Sequence, residues 1–163
     1  MQANNAYFLL GSNLGNRVEM LQNAAQLLQD KLGTITSQSA IYETAPWGIT
    51  DQPTFLNQVI VIPTQKRPIA LLRCIRETEE ALGRVRHQKW GSRLIDVDLL
   101  YYGDIVLKMP ELFVPHPFIQ ERRFTLVPLT EIAPNLVHPS FQLTQSQLLK
   151  SCKDTSEVVR FEE

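Results

Sequence analysis

Asp96-Val97-Asp98 stands inside an otherwise apolar run, Leu94-Ile95-Asp96-Val97-Asp98-Leu99-Leu100-Tyr101-Tyr102. Side chains alternate along an extended chain, so both carboxylates project from one face, a few ångströms apart. Like charges so placed repel, and burying either one would be costly unless a cation compensates. Paired hard oxygens are what Mg²⁺ accepts, usually with nucleotide phosphates completing its octahedron. The same pair also suits the solvated acidic face of an edge strand, so the surrounding residues must decide.

The preceding segment is cationic. From Ala81 to Ile95 there is no acidic residue, while Arg84, Arg86, His87, Lys89 and Arg93 fall close together among Gly83, Gly91 and Ser92. Arginines in such a loop can clamp phosphate oxygens in pairs and stabilise charge that develops in phosphoryl transfer. A basic loop running into an acidic pair favours a nucleotide-polyphosphate site. A second cluster is aromatic: Trp47 lies in a proline-rich stretch, Phe55 and Asn57 follow it, and Trp90 lies in the basic loop. Aromatic planes and one amide suit a flat heteroaromatic ligand, the rings stacking and the amide reading donors and acceptors.

Other motifs are weaker. Gly11-Ser12-Asn13-Leu14-Gly15-Asn16-Arg17 lacks the Gly-Lys-Ser/Thr ending of a P-loop and reads as a strand-to-helix turn with Asn16 as the N-cap. His87, His116 and His138 form no His-x-x-x-His or Ser/His/Asp pattern, although His116 can line a nucleotide pocket. Glu79, just before the basic loop, is expected to be a solvated helix charge.

These residues need a scaffold. Residues 7–10 form a short apolar strand, and Val18, Leu21, Ala25, Leu28 and Leu32 step along one face of a helix that Gly33 ends. Residues 34–42 and 55–62 are β-rich, with a loop between them that holds Pro46, Gly48 and Pro53. Pro68 opens a second helix, with Ile69, Leu72, Ile75 and Leu82 facing inward. Residues 94–102 form a strand, and Tyr102-Gly103-Asp104 is expected to turn it into a short partner at residues 105–107. The order β-α-β-β-α-β is the split-βαβ, or ferredoxin-like, α+β arrangement, here with a short extra hairpin. After residue 108, six prolines are expected to separate short helical pieces, the last over residues 144–152, as a C-terminal helical extension.

Composition narrows the class. At 163 residues the chain suits a single domain spanning 1–163, and 44% hydrophobic with 20% charged residues is ordinary for a globular protein. The balance of 16 Lys and Arg against 17 Asp and Glu leaves a net charge of −1, so no global field draws nucleic acid or membrane. No apolar run approaches the ~20 residues of a bilayer span. The first residues do not read as a signal peptide, and Cys74 and Cys152 suit reduced thiols, so a cytoplasmic protein is expected.

In combination, Gly11-Ser12-Asn13-Leu14-Gly15, Gly83-Arg84-Val85-Arg86, Trp90-Gly91-Ser92-Arg93-Leu94-Ile95-Asp96-Val97-Asp98 and Val114-Pro115-His116-Pro117 resemble the 6-hydroxymethyl-7,8-dihydropterin pyrophosphokinases of folate synthesis. The resemblance implies that ATP donates its β,γ-pyrophosphoryl group to the pterin hydroxymethyl oxygen, leaving AMP, with two Mg²⁺ ions and no nucleic acid or membrane partner. It implies a monomer. It sets Asp96 and Asp98 at the positions of the Mg²⁺ ligands, and Arg84 and Arg93 at those of loop arginines acting on the triphosphate. Arg86, His116 and Arg122 match nucleotide-side positions, and Glu79 matches an acidic position near the site. Thr44, Phe55, Asn57 and Phe124 match pterin-side positions, with Trp47 beside them and Trp90 closing over the ring. The sequence departs from some relatives at Glu111, Phe113 and Pro117, where an Arg, a Thr or Ser, and an aromatic are found. Glu111 is expected either to weaken ATP binding or to sit on a segment that bends away. Two other classes remain open on the residues alone: an RNA-binding module, which would need aromatics where Asp96 and Asp98 stand, and a two-metal nucleotidyltransferase, which would release pyrophosphate.

Overall fold

The computed structural model describes residues 2–45, 51–83 and 94–162. Strand β1 (Asn4–Ser12) leads into helix α1 (Arg17–Leu32), followed by β2 (Ser37–Gln38), β3 (Tyr42–Thr44) and β4 (Phe55–Thr64). Helix α2 (Pro68–Ala81), strand β5 (Asp96–Tyr102) and the short strands β6 (Leu107–Lys108) and β7 (Phe113–Val114) come next. A 3₁₀ turn (Ile119–Glu121), α3 (Arg123–Ile132), α4 (Gln145–Ser151) and β8 (Val158–Arg160) complete the described chain.

The main sheet runs β5-β1-β4-β3-β8, with β2 also on β4, and these strands pair antiparallel. This is the ferredoxin-like order expected from the sequence. Strand alternation gives the sheet two apolar faces. On one, Phe8, Leu10, Leu56, Ile60, Val97 and Leu99 pack against Leu21 and Leu28 of α1 and Leu71 and Ile75 of α2. On the other, Tyr7, Leu9, Val59 and Val61 pack against Leu126 and Leu129 of α3 and Leu148 of α4. Among the described residues no helix is long and apolar enough to cross a membrane.

Local signals explain the helix ends. The Asn16 side chain accepts from the Glu19 amide at 3.1 Å, as an N-cap should, and Gly33 ends α1 at φ 130°, where a side chain is strained. Thr144 and Gln147 close a capping box on α4.

Five expectations need correction. Residues 105–107 do not fold back on β5; Leu107 and Lys108 pair instead with Val114 and Phe113. The β-rich stretch 34–42 is two short strands, interrupted where the Glu131 carboxylate of α3 takes the Ala40 amide at 3.0 Å. Pro128 lies inside α3 and does not divide it: the proline removes a single N–H from the helix, and burial of Leu126 and Leu129 holds the rest. On α2 Ile75 is buried and Leu72 and Leu82 pack against the core as expected, but Ile69 is exposed and the buried face also includes Leu71, Cys74, Thr78 and Glu79. Thr78 satisfies its hydroxyl on the Cys74 carbonyl at 2.8 Å, so a polar residue sits in that face without loss. Strand β8, which the sequence pattern did not announce, pairs with β3.

Candidate active site

The strand register assembles one row of side chains. Asp96 lies opposite Gly11, Gly11 opposite Asn57, and Asn57 opposite Tyr42, across β5, β1, β4 and β3. Residues directly opposite in antiparallel strands share a face, so this row points to the side that α3 covers further along. Asp98 follows two residues on, opposite Leu9, and both carboxylates are half-buried. At ~3.4 Å of rise per residue, their backbones stand ~7 Å apart.

Gly11 leaves the middle of the row bare. A Cβ there would stand 2.9 Å from Asn57 Oδ1 and 3.8 Å from the Phe55 ring. The backbone of β1 thus forms a flat floor between the acidic pair and the amide. Asn57 and Thr44 are both buried, and Asn57 Nδ2 donates to Thr44 Oγ1 at 2.9 Å, which fixes the amide's orientation. Phe55, opposite Thr44 in the register, adds a half-buried ring on the same face.

The second wall comes from the segment after β7. The His116 amide donates to the Leu100 carbonyl at 2.9 Å, laying this segment along β5. The link exists because β5 bulges: Leu99 faces Phe8 and Tyr101 faces Tyr7, so Leu100 is the extra residue. The Phe118 amide donates to His116 Nδ1 at 3.1 Å, which leaves Nε2 to carry the proton of the neutral ring. Burial, with the Arg122 charge adding to it, pushes the imidazole down to about 4, and the nearby Asp96 carboxylate pulls the other way. Arg122 is buried at the start of α3, its guanidinium 4.8 Å from the Phe118 ring centre and 5.7 Å from that of Phe124. Asp96, His116, Arg122 and Phe124 therefore converge from three separate segments.

His116 also sets a pH dependence. Its folded pKa lies below the ordinary 6.5, so the unfolded chain binds the extra proton between about 4 and 6.5. This contribution to stability is complete above pH 6.5 and is lost as the pH falls toward 4. Urea unfolding of the substrate-free protein at several pH values should show His116→Gln with a shallower loss of stability across that window than the parent.

Two expectations change here. Glu79 is not solvated: it is 1% exposed and its carboxylate accepts the Val97 amide at 3.1 Å. The turn after β1 does more than cap a helix. Asn13 Nδ2 donates to Gln52 Oε1 and the Pro53 carbonyl, both at 3.0 Å, and Arg17 bridges Glu43 at 2.9 Å and the Thr54 carbonyl at 3.1 Å. These bonds tie the turn to the chain that enters β4, and nothing in their sequence spacing announces them. Trp47, Arg84, Arg86, Trp90 and Arg93 lie outside the described residues.

The donor set fits Mg²⁺. Two hard carboxylates project together from one strand beside cationic Arg122. That suits an ion which completes its shell with water and substrate phosphates.

Comparison with known proteins agrees with this geometry. The chain is 47% identical over 133 residues to the 2-amino-4-hydroxy-6-hydroxymethyldihydropteridine pyrophosphokinase of Methylorubrum extorquens, covering 81% of this chain and 84% of that protein. It is 41% identical over 136 residues to the same-named protein of Aquifex aeolicus, covering 83% and 84%. Wild-type Plasmodium falciparum HPPK-DHPS superposes with a TM-score of 0.75 at 17% identity over 91% of this chain, which is 44% of that longer one, and shares the fold. A model of the family described as 7,8-dihydro-6-hydroxymethylpterin-pyrophosphokinase matches residues 7–134, and the chain belongs to that family.

Proposed function

We propose that the row from Asp96 across Gly11 to Asn57 is where this chain transfers the pyrophosphoryl group of ATP to the hydroxymethyl oxygen of 6-hydroxymethyl-7,8-dihydropterin, a step of folate synthesis that leaves AMP. Family membership supports the reaction, and the row supports its place: a bare strand floor with a carboxylate pair at one end and a fixed amide at the other.

Thr44 and Asn57 hold the pterin edge, Phe55 and Phe124 flank its ring, and Trp47 and Trp90 complete that side. Arg122 and the His116 Nε2–H face the nucleotide, together with Arg84, Arg86 and Arg93. Asp96 and Asp98 hold Mg²⁺, as two ions, whose charge offsets the triphosphate and favours alignment for attack. The arginines act where negative charge grows on the departing α-phosphate. Positioning and charge neutralisation carry such a transfer more than a strong base does, and we assign no general base. The protein acts as a single-domain monomer in the cytoplasm with both thiols reduced.

Product analysis tests the reading. With ATP, Mg²⁺ and 6-hydroxymethyl-7,8-dihydropterin, the purified protein should yield AMP and the pterin diphosphate in equal amounts. Release of free pyrophosphate would make it a nucleotidyltransferase, and ADP a simple kinase.

Two smaller effects follow from this placement. Arg93→Ala should reduce turnover more than it weakens pterin binding, because its charge serves the transition state; a larger loss in pterin affinity than in kcat counts against its role. Glu111 sits exposed in the tight turn where the Met109 and Leu112 backbones exchange hydrogen bonds. Glu111→Arg should tighten an ATP analogue by no more than ~1 kcal/mol, with the gain shrinking as salt rises. Calorimetry at two salt concentrations measures it, and no change at either marks Glu111 as a surface residue.

A further inference from the structure

Glu79 is a carboxylate where α2 should carry an apolar side chain. It shares the inward face with Leu71, Cys74, Ile75 and Thr78, and is 1% exposed. A buried carboxylate is costly unless its oxygens are bonded, and Oε2 accepts the Val97 amide at 3.1 Å. That amide belongs to the peptide unit joining Asp96 to Val97, and Val97 separates the two carboxylates. The Val97 side chain points toward the α1 and α2 layer, whereas Asp96 and Asp98 point to the opposite face.

The need for an anchor here is physical. Strand β5 is the end strand of the sheet order, its pairing with β1 runs out at Asp96, and its first turn of chain carries two like charges. The last pair of an end strand is where fraying begins. A bond from α2 to the intervening peptide opposes the fraying and keeps both carboxylates pointed one way. On the other side of Asp98, the His116 amide bonds to Leu100, so the pair is held from both flanks.

We propose that Glu79 is a positioning residue for the divalent-cation site, acting through the Val97 amide and not through its own charge. The proposal rests on the reading of Asp96 and Asp98 as Mg²⁺ ligands. Partners one shell out from a metal commonly alter its affinity ten- to hundredfold, by order of magnitude.

Two substitutions separate bond from charge. Glu79→Gln removes the charge but retains an oxygen that can accept from Val97; Glu79→Asp keeps the charge but draws the oxygen back by a methylene. The Mg²⁺ concentration for half-maximal binding of a non-hydrolysable ATP analogue is measured by calorimetry, with exchange of the Val97 amide followed by NMR. Glu79→Asp should raise that concentration about tenfold and speed exchange at Val97, while Glu79→Gln stays within about threefold of the parent. A purely structural role would lower the melting temperature of both variants without moving the Mg²⁺ requirement of folded protein. An unchanged requirement in folded Glu79→Asp, or a Glu79→Gln as impaired as Glu79→Asp, overturns the proposal. Should Glu79→Asp fail to fold, Glu79→Leu, which removes the acceptor oxygen, takes its place with the same expected rise in the Mg²⁺ requirement, and an unchanged requirement there overturns the proposal. Asp98→Ala is run alongside: if it keeps the parent's Mg²⁺ requirement, it is the metal reading that has failed.

Discussion

Asp96→Ala and Asp98→Ala are each expected to lower turnover at least a hundredfold, about 3 kcal/mol of transition-state stabilisation, with little change in melting temperature. The two halves of this expectation have different causes. Turnover falls because each variant removes one of two hard oxygen donors set against the triphosphate, and charge neutralisation is the main demand of phosphoryl transfer. Stability holds because neither carboxylate belongs to the two apolar clusters and both are only half-buried. Turnover at limiting Mg²⁺, alongside thermal unfolding without substrate, measures both. Near-normal activity in either variant would sink the site, and a large loss of stability would mean that the pair is structural.

How far this site can be read in the sequence depends on what each residue needs from its surroundings. The carboxylate pair is legible because two-residue alternation is a property of any strand, and the apolar run around it specifies one. Asn16 and Gly33 are legible for a similar reason, since caps are set by their immediate neighbours. Glu79 is not. Helical periodicity is counted on apolar residues, and here the inward face includes a threonine and a glutamate whose polar atoms find backbone partners, so the count selects Ile69 and leaves Glu79 outside. The extra hairpin is misplaced because Tyr102-Gly103-Asp104 does turn the chain, but the new strand finds β7 and not β5. Within β5 the bulged Leu100 gives its carbonyl to His116. Neither event has a local signature: both depend on which segments lie side by side. The family resemblance supplied His116 and Arg122, but their convergence on Asp96 through a bulge and a helix start is a product of the fold.

On the other end of the row, Asn57→Leu should weaken pterin binding about a hundredfold, close to 3 kcal/mol, and leave the ATP analogue's affinity within twofold. Leucine keeps asparagine's branching and side-chain heavy-atom count while carrying no hydrogen-bonding group, so the loss reports chiefly on the amide. A site built to bond a substrate's polar edge loses far more when those bonds vanish than an apolar pocket loses with a methylene. The variant should fold, with destabilisation of about 1–3 kcal/mol from the lost Thr44 bond. Gly11→Ala approaches the same amide from the other side: its new Cβ would meet Asn57 Oδ1 at 2.9 Å, too close to stand, so the amide must turn away from its bond to Thr44. That rotation should cost the pterin about tenfold in affinity, which is ~1.4 kcal/mol. The two variants share one cause, so the double variant should lose little beyond Asn57→Leu alone, because the amide that Gly11→Ala displaces is already gone. Fully additive losses would place Gly11 and Asn57 in separate functions, and a Gly11→Ala protein that binds pterin normally would remove the strand floor from the binding site.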